Sequence, residues 1–198
     1  MQRRSMILVV VLLLALPLSA SQFVRMPFDQ VARESSLIAR GSIQETWSAW
    51  DDAHEVIYTY ATVRVNRYFG ESTGPDTLVV REVGGTVDGY TQQAIGFPEI
   101  RRGEDVVLFL SRWEDGAAEF RIHAYNQGKF LVKNRGGVEV LVEDPTKQGD
   151  GRLERPRFDM RAMSADAEEG ETLTLAEFAD MVDAARAGER VERTRERK

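Results

Sequence analysis

The 198-residue chain contains no cysteine. That excludes disulfide staples, zinc–thiolate centres and thiol nucleophiles, so any folded core must hold by packing alone. Histidine is scarce, with only His54 and His123 present. A Ser-His-Asp hydrolase would need one of them beside a poised serine, and no G-x-S-x-G turn occurs to present one. Beyond Leu18 no run is long and apolar enough to cross a bilayer, which takes roughly 20 residues. Positive charge is in deficit, with 26 Lys and Arg against 32 Asp and Glu and a formal net charge of −6. An acidic surface repels phosphate backbones, which disfavours general nucleic-acid binding.

What is present begins with Arg3 and Arg4, an apolar run from Ile7 to Leu18, and the small residues Ser19 and Ala20. This is the three-part layout of a secretory signal peptide. It predicts that residues 1–20 are removed and that the mature chain starts at Ser21. The protein is then secreted or periplasmic, with no transmembrane segment after cleavage. An uncleaved anchor is the less favoured alternative, and no cysteine follows the run to carry a lipid. Loss of Arg3 and Arg4 leaves the mature chain more acidic still.

Pro27 opens a short amphipathic helix carrying Phe28, Val31 and Ala32 and ending near Ser35. "SLIARGSIQETW" reads as a strand with Leu37, Ala39, Gly41 and Ile43 on one side. "EVIYTYATVRVNRYF" is the clearest strand. Period two puts Ile57, Thr59, Ala61, Val63 and Val65 on one face and Tyr58, Tyr60, Thr62, Arg64 and Tyr68 on the other. "TLVVREV", "RRGEDVVLFLSRW", "FRIHAY", "GKFLVK" and "VEVLV" follow as strands between glycine-bearing turns.

Residues 21–143 therefore make one β domain. The order of a helix, long bent strands and short hairpins predicts a mainly β fold, a small antiparallel barrel of the oligonucleotide/oligosaccharide-binding type. Residues 144–173 are polar and aperiodic and read as a linker. Residues 174–188 form a helix: Thr174 and Glu177 fit a capping box, and Leu175, Phe178, Met181, Val182 and Ala185 make its apolar stripe. Gly188 ends it. Residues 189–198 are a mixed-charge tail.

"GGTVDGYT", Gly84 to Thr91, has the spacing of a phosphate-binding loop, but Tyr90 stands where the lysine should be. The following "QQAIGFPEI" is a poor helix, so no helix N-terminus faces a phosphate. The stretch reads as a long loop with Gly84, Gly85 and Gly89 at positive φ, and as a place where something binds. "WDDAHE" holds Asp51, Asp52, His54 and Glu55, a set able to hold a divalent metal. The simpler reading is a polar hairpin tip using Asp for its turn chemistry. No metal site and no cofactor is assigned. His123 falls out of phase with Phe120, Ile122 and Ala124 and is expected to face solvent or the barrel edge.

The most informative surface is the outer face of the best strand. Tyr58, Tyr60 and Tyr68 with Arg64 form a flat aromatic and cationic patch, which Trp47 and Trp50 of the preceding strand are placed to join. Barrels of this class bind extended ligands over such a face. The competing expectation, slightly favoured, is that the C-terminal helix covers it, because that helix needs an apolar partner.

The stretches "LIARGSI", "IYTYATVRVNRYFGES", "TLVVREVGG" and "FPEIRRGEDVVLFL" together resemble a family of secreted bacterial proteins whose domain is similar to the netrin-like module. That module is the barrel of the tissue inhibitors of metalloproteases and of netrin C-termini. The resemblance spans about residues 28–142 and rests on Tyr58 to Val65 and Gly103 to Leu110. It implies a barrel. It does not bring the inhibitor mechanism, which needs an N-terminal cysteine where this chain has Ser21.

The expected function is a secreted, non-enzymatic binding module whose partner is another exported protein, with Tyr58, Tyr60, Arg64, Trp47, Gly84, Gly85 and Tyr90 as the contact residues. The alternatives are a cell-envelope glycan-binding module or, less favoured, a hydrolase using acidic residues or a metal near Asp51 and His54.

Overall fold

The computed structural model describes residues 26–143 and 173–188. The expected signal peptide, nearly all of the polar connection and the charged tail lie outside the described residues. The chain runs α1 (Phe28–Glu34), β1 (Leu37–Trp50), β2 (Ile57–Tyr68), β3 (Thr77–Val83), β4 (Gly85–Val87), β5 (Tyr90–Gln92), β6 (Asp105–Arg112) and β7 (Phe120–Ile122). A 3₁₀ turn (Tyr125–Gly128) leads to β8 (Lys129–Arg135) and β9 (Val138–Glu143). After the undescribed segment come β10 (Leu173–Thr174) and α2 (Leu175–Arg186). Leu173 thus belongs to a two-residue strand, paired with Leu141, rather than to the linker.

The fold is mainly β, and five strands close into a barrel in the order β1-β2-β3-β7-β6, with β6 returning to pair with β1. One pairing departs from the antiparallel expectation. β3 and β7 run parallel and meet only at Val80 and Phe120. This short seam gains a side-chain hydrogen bond: the Ile122 backbone N–H donates to the Glu82 carboxylate. Glu82 follows Leu78 and Val80 in the inward phase of β3 and is 2% exposed.

β6 is the structural centre. It pairs with β1, β7 and β8, and Val106 to Leu110 are buried without interruption. A strand covered on both faces loses the polar alternation of a half-exposed one. Val106, Leu108 and Leu110 point into the barrel with Ala39, Ile43, Ala61, Val63, Leu78, Val80 and Phe120. Val107 and Phe109 point the other way, into a second core shared with α1 and α2. There Phe178 of α2 is fully buried and meets Phe28, Phe69 and Phe109 edge to face at centroid distances of 5.9, 5.2 and 5.8 Å. The capping box forms as the spacing predicts: Glu177 N–H donates to Thr174 Oγ1, and Thr174 N–H donates to the Glu177 carboxylate.

Two bulges bend the β1–β2 ribbon. Arg40 and Gly41 pair with Arg67 and Val65, which leaves Asn66 unpaired. Ile43 and Glu45 pair with Val63 and Thr62, which leaves Gln44 unpaired. Each extra residue reverses the alternation beyond it. Gly41 lies where the ribbon folds tightest, since a Cβ there would stand 2.5 Å from the Arg64 carbonyl oxygen.

Candidate functional site

On the outer face of β1, β2 and β3 Trp47 is exposed, while Tyr58, Tyr60 and Arg81 are half-buried. The C-terminal helix packs on the second core, against Phe28, Phe69, Phe109 and Phe130, and not on Tyr58 or Tyr60. The expectation that α2 covers the aromatic face is therefore corrected. The physical reason lies in β6, β8 and β9, whose outward Phe109, Phe130, Val132 and Leu141 give the helix stripe a wholly apolar partner.

On the open face Trp47 stands directly opposite Tyr60 across the β1–β2 ladder, and the rings stack at 5.3 Å with 8° between their planes. Trp47 is 44% exposed. Tyr60 faces Arg81 of β3 in the next ladder. The Arg81 guanidinium lies between two rings, 4.8 Å from the centroid of Tyr58 and 4.5 Å from that of Trp113. Tyr58 and Trp113 meet edge to face at 5.8 Å, and the Trp113 indole N–H donates to the Arg81 carbonyl. Arg121 of β7 extends the cationic edge, 5.5 Å from the Trp113 centroid. Burial works against the Arg81 charge, but the hydrogen bond and charge of Asp115 outweigh it, so its pKa is raised. The result is a cation held between the Tyr58 and Trp113 rings beside the Trp47–Tyr60 stack, a favourable cation–π arrangement.

The candidate residues divide between two faces. Trp47, Tyr58 and Tyr60 come together. Arg64 shares their phase but is exposed opposite Thr77, four residues on from Tyr60, about 13 Å at roughly 3.3 Å per residue. Arg81 takes the place expected for it. Tyr68 does not join the face: the bulge at Asn66 turns it against the barrel core, and its hydroxyl donates to the Pro75 carbonyl. Trp50 does not join either, because it pairs with inward-phase Ile57.

Gly84, Gly85 and Tyr90 lie on the opposite side of the ribbon. The expected long loop is a β-hairpin, β4 and β5, turned at Asp88 and Gly89, which have φ of 49° and 83°. It folds over the inward phase of β1 and β2. Gly84 donates its N–H to Ile57 O, and its carbonyl accepts from Thr59 Oγ1 at 2.7 Å. At Gly85 a Cβ would fall 2.5 Å from Ser48 Oγ. These glycines serve close packing. Tyr90 is 67% exposed and meets Trp50 at 6.1 Å, while Trp50 stacks on His54 at 5.9 Å. The ribbon end thus carries aromatic side chains on both faces.

At the ribbon tip the Asp51 carboxylate accepts hydrogen bonds from the Val56 and Glu55 N–H groups, which hold its pKa below the usual range. Asp51 is engaged in turn chemistry. Among the described residues no group of three His, Asp or Glu side chains is placed to hold a metal.

His123 keeps its expected place out of phase with buried Ile122 and Ala124, but it is not open to solvent. β7 ends at Ile122, the burial alternation runs on to Ala124, and Ala124 and Tyr125 then take positive φ. The ring is half-buried, with Nδ1 2.8 Å from Ser111 Oγ and Nε2 3.6 Å from the Glu34 carboxylate. Burial lowers its pKa, against the opposing pull of Glu34. A serine does stand beside a histidine, but through Nδ1, and Nε2 is buried without a hydrogen-bond partner.

Sequence reasoning missed Arg81, Trp113 and Arg121. The phase of "TLVVREV" carries a signal for Arg81, which alternates against Leu78 and Val80. For Trp113 no local pattern exists, because it reaches the face from the end of β6. No helix among the described residues is long and apolar enough to cross a membrane. No protein-family model and no curated protein matches the chain.

Proposed function

We propose that this protein is an exported, non-enzymatic binding module that holds another exported protein against the outer face of β1, β2 and β3. The observation that carries this reading is the uncovered Trp47–Tyr60 stack beside the Tyr58–Arg81–Trp113 cluster. Trp, Tyr and Arg are the residues that dominate binding energy at protein interfaces, and here all three are held rigidly on a strand face. Side chains already in contact with one another lose less freedom on association, which lowers its entropic cost. The signal-peptide layout and the netrin-like resemblance add support from the sequence.

Three groups able to do chemistry have structural roles or lie buried. Asp51 holds its turn, Glu82 bridges the barrel seam, and His123 has its Nε2 buried. One observation favours a glycan as a second reading. The Trp47 and Tyr60 rings lie parallel and present a flat apolar platform of the kind on which sugar rings stack.

Replacing both Trp47 and Tyr60 with alanine is expected to weaken partner capture roughly 1,000-fold, at about 2 kcal/mol per hot-spot residue. The melting temperature should stay within a few degrees of wild type, since neither Trp47 nor Tyr60 belongs to either buried core. The check is a crosslinked pull-down from the envelope and medium of the host, run beside thermal unfolding. Undiminished capture by the folded double variant would exclude this face as the site. Binding to insoluble polysaccharide in place of protein would select the glycan reading.

A further inference from the structure

On the far side of the molecule from the aromatic face, a groove of about 890 Å³ runs between α1, the end of β2 and α2. Three arginines line it: Arg33, Arg67 and Arg186. Arg33 is paired with Asp29 at 2.8 Å. The other two make no ion pair with a carboxylate within 4.0 Å among the described residues. Arg67 is exposed and lies 4.7 Å from the Phe69 ring centroid. Arg186 is anchored from behind: its Nη1 donates to the Gly70 carbonyl at 2.9 Å and its Nη2 to the Ser35 carbonyl at 3.1 Å. Its Nε is buried with no hydrogen-bond partner.

Gly70 makes this anchoring possible. It has φ of 60°, and a Cβ there would stand 2.5 Å from Arg186 Cδ. Two carbonyl oxygens fix the orientation of the guanidinium but carry only partial charge, so the cation is positioned without being neutralised. Asp183 and Glu71 also line the groove, and Glu71 acts on Arg186 through space without bonding it. Tyr68 and Phe69 supply apolar wall.

We propose that this groove is a second ligand site, which takes a phosphate or carboxylate group on Arg67 and Arg186. Planar guanidinium forks match the oxygens of both anions, and a pre-anchored Arg loses little freedom when it binds them. The site is independent of the aromatic face, so either can fail without the other.

The test uses the mature full-length protein and inorganic phosphate at constant ionic strength with chloride as the reference anion. Nitrogen–proton NMR spectra should show saturable shifts at the Gly70 amide and the Arg186 Nε–H. Arg67→Gln should weaken binding at least 10-fold while leaving the fold intact, because Arg67 is exposed and supports no backbone carbonyl. Arg186→Lys, which keeps the charge but loses the fork, should weaken it comparably. A parallel sedimentation assay uses phosphatidylglycerol vesicles. Arg67-dependent sedimentation assigns the anion to a lipid headgroup, and phosphate shifts without sedimentation assign it to a free anion. No saturable shift and no sedimentation, or binding unchanged in both variants, would overturn the proposal.

Discussion

Glu82→Gln is expected to flatten the dependence of stability on pH between about pH 4.5 and pH 8. Glu82 is buried inside the barrel, and burial raises its pKa from 4.5 to about 8, against the lowering effects of the Ile122 N–H and Arg121. In the unfolded chain the carboxyl ionises near 4.5, whereas in the folded chain it keeps its proton up to about 8. Between those limits the folded state binds more protons than the unfolded state, so stability falls as pH rises. The slope is roughly 1.4 kcal/mol per pH unit. Across the window the loss amounts to about 5 kcal/mol, a large part of the 5–15 kcal/mol typical of a domain. Below pH 4.5 the contribution is fully present, and above about 8 nothing further is lost. Glutamine keeps an acceptor for the Ile122 N–H and cannot ionise. Urea unfolding at intervals from pH 5 to 8 should therefore show wild type and variant diverging as pH rises. Parallel curves would mean that Glu82 ionises normally and that the seam is hydrated.

The second large effect is expected at Phe178. This ring is fully buried and touches aromatic residues from α1, β6, β8 and the β2–β3 connection. Phe178→Ala should cost roughly 3–5 kcal/mol, the transfer and cavity terms together. Because Phe178 is the central contact of α2, the loss should also expose the helix to proteolysis before the barrel unfolds. Urea unfolding and limited proteolysis followed by mass spectrometry would read both effects. A loss below about 1 kcal/mol would show that α2 is not integral to the fold, and that the second core is held by α1 and the sheet alone.

Some of this architecture was legible because it is local. The alternation of β2 from Ile57 to Val65, the capping box at Thr174 and the short helix after Pro27 depend on neighbours a few residues away. The barrel followed from strand number and spacing. Errors arose where one residue changes the phase. The bulge at Asn66 returned Tyr68 to the core. The location of α2 was hidden for a different reason. Its stripe fits any apolar face, and only the assembled sheet shows that Phe109, Phe130 and Leu141 form one.

The candidate site divides the same way. Trp47, Tyr58 and Tyr60 share a face because pairing across one ribbon brings them together. Trp50 was separable from Trp47 in principle, since an odd spacing along a strand places two side chains on opposite faces. Arg81 and Trp113 belong to later strands, and their meeting with Tyr58 depends on barrel closure. Gly84 and Gly85 lack the lysine and helix of a phosphate loop in the sequence itself, but the close packing of Gly85 on Ser48 and Thr59 is a contact that no spacing reveals.

The central claim is that the uncovered aromatic face is where a partner binds. The most direct measurement places a photo-crosslinking amino acid at Tyr60, and in a separate variant at Asn134, which is exposed on the β8–β9 hairpin. Both proteins are expressed in the host and illuminated, and adducts are resolved by mass. The account predicts a single dominant adduct from position 60 and none from position 134. Equal adducts from both positions, or none from position 60, would contradict it.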